Sequence, residues 1–259
     1  MTLPPVVPPL PRNEPFARHL KTAVAFDWLG AGWGDLVIDP ATSLLYGLLV
    51  YLLSLIIVTG LIWLGWDYAL FPAMAGFLVF APTLAIGLYA KSRALEFNQP
   101  VSFWRMVLPH ARAGGQVLFI GALLCGLMLL WMRAAVIIYA LFFGVRPFPG
   151  LDHVAAMLFT TSTGLAMIIV GTLVGGLFAA FAFAISAFSI PMMLDRRVDA
   201  LTAMGTSWAL VWNNLRPMLV WAMIVLALFL FSIATALIGL IIVFPWLGHA
   251  TWHAYRTVR

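Results

Sequence analysis

Charge is scarce in this sequence, and cysteine scarcer still. Of 259 residues only 9% are charged, well below the roughly 25% of ordinary soluble domains. The single Cys125 excludes an intrachain disulfide and a thiolate cluster for a metal, and is expected to pack as a small apolar side chain. Lys and Arg number 14 against nine acids, a formal net charge of +5, but the basic residues do not gather on one soluble face. That excludes the electrostatic footprint of a nucleic-acid binder. There is no glycine-rich phosphate loop, nucleophile elbow or zinc-protease helix motif. Paired acids are missing from the apolar runs, so no catalytic carboxylate pair is legible, and neither an enzymatic activity nor a resident cofactor is expected.

What the sequence has instead is apolar length. Hydrophobic residues make up 64% of it, in runs that exceed the roughly 20 residues a helix needs to cross a bilayer. The fold class this implies is all-α: a polytopic membrane protein of six transmembrane helices. The spans are read at 42–63, 70–90, 115–132 and about 163–192, followed by a run over 218–255 too long for one helix. Gly239 and Pro245 divide that run near 237–240. Residues 1–17 hold prolines at 4, 5, 8, 9, 11 and 15 and read as an extended arm. Residues 18–259 read as a single membrane domain of three hairpins, about 42–90, 115–192 and 216–257. Nothing before the first span resembles a signal peptide, so that span is expected to be retained.

Charge placement orients the helices. Arg12, Arg18, Lys21, Lys91, Arg93, Arg105, Arg112, Arg196, Arg197, Arg216, Arg256 and Arg259 fall on one side, and only Arg133 and Arg146 on the other. Basic residues accumulate in cytoplasmic loops, so both termini are expected in the cytoplasm of a bacterial inner membrane. Arg133 lies about 27 Å along its helix from Gly115, near the outer interface, where a long side chain can snorkel. Around it, residues about 133–162 read as an interfacial or re-entrant hairpin on the outer side.

A spacing recurs three times on the basic side: Trp33 with Asp39, Trp104 with His110, and Trp208 with Asn214. Each pair follows an amphipathic stretch (19–30, 91–103 and 195–207) and precedes an apolar span. The repeat predicts an interfacial helix before each hairpin, anchored by Trp at headgroup depth, with the polar residue capping the span that follows. Trp252 is placed in the same aromatic belt. Gly171, Gly175 and Ala179, four apart, predict a close helix approach, either inside the bundle or at an interface with a partner. His249 and His253 share a helix face and are the candidate metal or haem ligands, although two ligands do not make a site.

Three segments carry a resemblance: Phe26-Asp-Trp-Leu-Gly-Ala-Gly-Trp-Gly-Asp-Leu36, Ser207-Trp-Ala-Leu-Val-Trp-Asn-Asn214 and Phe244-Pro-Trp-Leu-Gly-His-Ala-Thr-Trp-His-Ala-Tyr-Arg256. With them the chain, beyond its Pro-rich arm, resembles an uncharacterised family of six-helix bacterial integral membrane proteins, a domain of unknown function. It is similar, more distantly, to the membrane domain of some glycerophosphodiester phosphodiesterases. Members of the family are sometimes labelled as like cytochrome c oxidase subunit I, which implies a respiratory neighbourhood at most, because the buried histidines that haem and copper require are absent here. The function expected is that of a non-enzymatic accessory, assembly or scaffold subunit of a membrane complex. Its partners would be membrane lipids and other membrane subunits or a second copy. The alternatives are a small-molecule or lipid transporter or binding protein, and metal or haem binding at His249 and His253.

Overall fold

The computed structural model describes residues 16–108, 114–144 and 148–259. Most of the Pro-rich arm, His110 of the second Trp pair, Arg112 and Arg146 lie outside these residues. The described residues form twelve helices: α1 Val24–Ile38, α2 Pro40–Trp63, α3 Leu70–Leu84, α4 Ile86–Glu96, α5 Phe103–Val107, α6 Gly114–Phe143, α7 Leu151–Thr160, α8 Ser162–Ser186, α9 Ser189–Asp195, α10 Ala200–Asn213, α11 Leu215–Ala234 and α12 Leu240–Val258. The chain is an all-α polytopic membrane protein. Among the described residues five helical stretches are long and apolar enough to cross a membrane: Pro40–Trp63, Asp67–Glu96, Gly115–Phe143, Ser162–Asp195 and Leu215–Ala234.

The sixth expected span is α12, and it differs in kind. It is amphipathic rather than uniformly apolar, and α1, α2 and α4 enclose it. It turns back toward the end of the bundle where the chain begins: Arg18 Nε donates to the Val258 carbonyl at 2.9 Å. Both ends of the described chain therefore lie together. A second group of helices packs beside this one, with α6 against α3 and α8, and α8 against α10.

Several boundaries depart from the sequence reading, each for a local reason. The second span is interrupted at Ala85, just after Pro82, and the Tyr46 hydroxyl donates to the Leu84 carbonyl at 2.7 Å, satisfying an oxygen at the break. The third span does not stop at residue 132. It continues as one helix through an exposed Arg133 to Phe143, so the outer feature is the far end of α6 followed by α7, not a hairpin with two arms of its own. Thirty residues at about 1.5 Å each reach farther than the ~30 Å hydrocarbon layer.

The division between α11 and α12 comes slightly earlier than expected. Ala236 and Leu237 adopt left-handed φ of 51° and 68°. The Leu237 N–H bonds to the Ser232 carbonyl at 2.7 Å, and the Thr235 hydroxyl accepts from the Gly239 N–H at 3.0 Å. These bonds hold a turn that two non-glycine residues would otherwise avoid. Pro245 does not end a helix but lies inside α12.

Two close approaches seat α12. Pro245 has no N–H, which frees the Ile241 carbonyl four residues back, and Gly47 of α2 lies against that oxygen so closely that any Cβ would collide with it. On the opposite side, a Cβ at Gly32 of α1 would stand 2.5 Å from the Ala250 backbone nitrogen. A small residue at each crossing lets backbones approach to a distance side chains forbid.

Gly32→Val should therefore destabilise the protein by about 1–3 kcal/mol. Gly34→Ala, on the same helix with open space at its Cβ, should leave stability within about 0.5 kcal/mol of the parent. Thermal unfolding of the detergent-solubilised variants, followed by tryptophan fluorescence, measures both; equal midpoints would refute the crossing.

Candidate functional site

The two segments expected to be most distinctive, 26–36 and 244–256, pack on each other along the α1–α12 crossing. The Trp246 indole N–H donates to the Leu29 carbonyl at 2.8 Å, and its ring meets Trp33 edge to face at 5.1 Å. Trp28 is buried, edge to face with Trp221 at 6.0 Å, and its indole N–H donates to the Thr257 hydroxyl at 3.0 Å. His253 Nε2 lies 2.9 Å from Asp35 Oδ2. Residues 246, 250, 253 and 257 recur at helical spacing, so one face of α12 reads one face of α1.

An adjoining face of α12, through His249, carries a concentration of buried polarity. Lys91 is 1% exposed; its ammonium donates to the Asp39 carbonyl at 2.6 Å and to Ser43 Oγ at 2.7 Å. Ser43 Oγ lies 2.9 Å from His249 Nε2, and Ser92 Oγ lies 2.8 Å from His249 Nδ1. Hydrogen-bond capacity assigns the directions. Asp35, as a carboxylate, can only accept, so Ser92 gives it its proton and receives from His249 Nδ1–H. The neutral imidazole then accepts at Nε2 from Ser43, which itself receives from Lys91. A directed chain results, Lys91 to Ser43 to His249 to Ser92 to Asp35, with His253 closing on the same carboxylate.

Burial by itself would raise the Asp35 carboxyl, but the hydrogen bonds from His253 and Ser92 and the nearby imidazoles hold it below its ordinary value of 3.8. Its contribution to stability is therefore complete above pH ~4 and is lost as the pH falls through the lowered value.

A second polar cluster ties α4, α9 and α12 together at the basic end. Asp195, 4% exposed, accepts from the Tyr255 hydroxyl at 2.9 Å and pairs with Arg259 at 2.9 Å and Arg93 at 3.5 Å. Glu96 pairs with Arg256 and accepts from the Trp252 indole at 3.2 Å. Beside this cluster a cavity of about 330 Å³ opens between α4, the turn after it, α5 and α9, with Arg93, Gln99, Ser102 and Arg105 in its wall.

The residues singled out in the sequence fare unevenly. His249 and His253 do not converge: the first has both ring nitrogens engaged by serines and the second faces Asp35. Among the described residues no three His, Cys, Asp or Glu side chains gather as metal ligands. Trp33, Trp104 and Trp208 are 45%, 72% and 41% exposed, as anchors must be, but Trp252 at 1% belongs to the core; its polar edge is claimed by Glu96, not by a headgroup. Gly175 receives the Trp131 ring, whereas the Cβ position of Gly171 is open. Ala179 is half-buried one turn on.

Asp39 and Asn214 stand at the starts of α2 and α11, but neither side chain caps a backbone N–H. Asp39 accepts from Thr42. Asn214 accepts from the Arg18 N–H and donates to the Phe16 carbonyl, fastening the incoming chain. Sequence reasoning missed Lys91, Ser92 and Asp35 as parts of one network and placed Lys91 among loop charges. A Lys at the end of an apolar run, followed at once by Ser, was the available signal.

Residues 70–195, from α3 to α9, match the family model described as predicted integral membrane protein (DUF2189). This agrees with the uncharacterised membrane protein family the sequence resembles, over a narrower stretch than expected: the segments at 26–36, 207–214 and 244–256 all lie outside it. Comparison with curated proteins and with solved structures gives no match.

His249→Ala strips a partner from each of two buried hydroxyls and opens a cavity, so it should cost about 2–5 kcal/mol, against less than about 1 kcal/mol for truncating the exposed Leu118 to Ala. Chemical unfolding in detergent would show the contrast, and similar losses would rule out a buried lock at His249. Between pH ~5 and ~3 the parent should lose more stability than Asp35→Asn, which has no carboxylate to protonate. Parallel pH–stability curves would remove Asp35 from the network.

Proposed function

We propose that this chain is a non-enzymatic accessory, assembly or scaffold subunit of a bacterial inner membrane, with both termini in the cytoplasm. The observation that carries the reading is the state of its reactive groups. Ser43, Ser92, Lys91 and His249 are the residues from which a nucleophile and base would be built. They are 0–2% exposed and bonded to one another. Ser43 already receives the Lys91 ammonium and is not among the residues lining the cavity beside α4 and α5. The network serves to lock α12 into the bundle, leaving recognition to the outer surfaces.

The basic residues gathered at the end that carries both termini support the orientation. So does the exposure of Trp33, Trp104 and Trp208 on α1, α5 and α10, each in the helix that precedes a long apolar one. This layout fits three repeated units, each of an interfacial helix and the span after it.

A second reading, binding of a lipid or small amphiphile, is favoured by the cavity beside α4 and α5. The accessory reading predicts that affinity purification in a mild detergent recovers the protein with a membrane subunit at a fixed stoichiometry, or as a defined oligomer. Recovery as a monodisperse monomer at native expression level would refute it.

A further inference from the structure

At the basic end most polar side chains are already engaged. Asp195 holds four partners, Glu96 two, and Asn214 is bonded on both ends of its amide. The wall of the 330 Å³ cavity differs. Among the described residues the Arg105 guanidinium makes no ion pair, and the Gln99 amide and Ser102 hydroxyl make no hydrogen bond. Buried Arg93 Nε has no hydrogen-bond partner either, its carboxylate neighbour Asp195 standing 3.5 Å away. No acidic residue lines the cavity. Lys91 also borders it, but its ammonium is held by the Asp39 carbonyl and Ser43; the rest of the polar wall is two guanidinium groups, an amide and a hydroxyl, a donor set that suits one anion with several acceptor oxygens.

We infer that this cavity binds the phosphate of an anionic phospholipid headgroup, an assignment that rests on the second reading above and names its ligand class and site. Arg93 and Arg105 approach the phosphate from two elements, α4 and α5, and Gln99 and Ser102 bond to it or to the adjoining headgroup hydroxyls.

Two features select a lipid over a soluble phosphate. The rest of the wall, including Val101, Met106 and Leu194, is apolar and suits the carbon that follows a lipid phosphate. The cavity also lies against the last two turns of the span that ends at Glu96, beside α5, whose Trp104 and Leu108 are 72% and 69% exposed. A short helix showing a large aromatic and a leucine outward lies at headgroup depth, which places the cavity mouth where lipid phosphates are.

The test uses the full-length protein in a neutral detergent, with bound lipid counted by native mass spectrometry against phosphatidylglycerol and phosphatidylcholine. The native protein should retain phosphatidylglycerol in preference to phosphatidylcholine. Arg105→Ala and Gln99→Leu, both at exposed positions, should weaken that retention, the arginine variant on the order of ten-fold. Arg216→Ala, an exposed cation outside the cavity, should match the parent. Millimolar glycerol 3-phosphate, the headgroup phosphate without its chains, should not displace the lipid.

Equal retention by the parent and both cavity variants would overturn the site while leaving the lipid-binding reading intact. Displacement by glycerol 3-phosphate alone would overturn the lipid assignment in favour of a soluble phosphate compound. Failure to retain either lipid would overturn both the site and the reading it rests on.

Discussion

Everything at the basic end of this bundle depends on one buried cation. Lys91 reaches inward from α4, and its ammonium is held by the Asp39 carbonyl and the Ser43 hydroxyl. No carboxylate stands within ion-pair distance of it among the described residues. A buried charge is costly unless its hydrogen bonds are met, so the start of α2 must stay where those two oxygens are. Ser43 in turn gives its proton to His249 Nε2, which is free to accept because Nδ1–H is turned to Ser92, and Ser92 gives its own proton to Asp35. The order runs from the cation on α4, through α2 and α12, to the anion on α1, and so specifies how four helices meet.

Helix α12 is the element that this network retains. Its polar side chains are enclosed by α1, α2 and α4. The glycines at its crossings with α1 and α2 provide the room, and the carbonyl released by Pro245 faces one of them. Beyond it, Tyr255, Arg256 and Arg259 join the Asp195 and Glu96 cluster, while the indole of Trp28 reaches Thr257. The end of the chain is thereby fastened to α1, α4 and α9, and Arg18 completes the closure.

The segments most distinctive in sequence are packing segments. Along 26–36 and 244–256 the Trp, Gly, His and Asp residues alternate between ring contacts, backbone crossings and hydrogen bonds. Leu29 and Trp33 meet Trp246, Gly32 meets Ala250, and Asp35 meets His253. Arg105, Gln99 and Ser102, beside the same cavity, lie in the short stretch where the chain leaves α4 and re-enters the interface as α5.

Sequence alone determined the fold class and most of the helices, because apolar length and the cost of an unbonded backbone in lipid leave a helix as the only choice. It also determined the exposed Trp residues at the basic end and the helical face shared by His249 and His253. It did not extend α6 past Arg133, since a charge near the interface reads equally as an end or as a snorkelling side chain. It could not tell that α12 is enclosed while the others face lipid, because enclosure is decided by neighbours. The network was beyond its reach for the same reason: Asp35, Ser43, Lys91, Ser92 and His249 come from four helices. Only the tertiary structure decided which of these polar groups meet, because hydrogen bonds between helices depend on crossing distance and rotation, and neither is written in the spacing of any one helix.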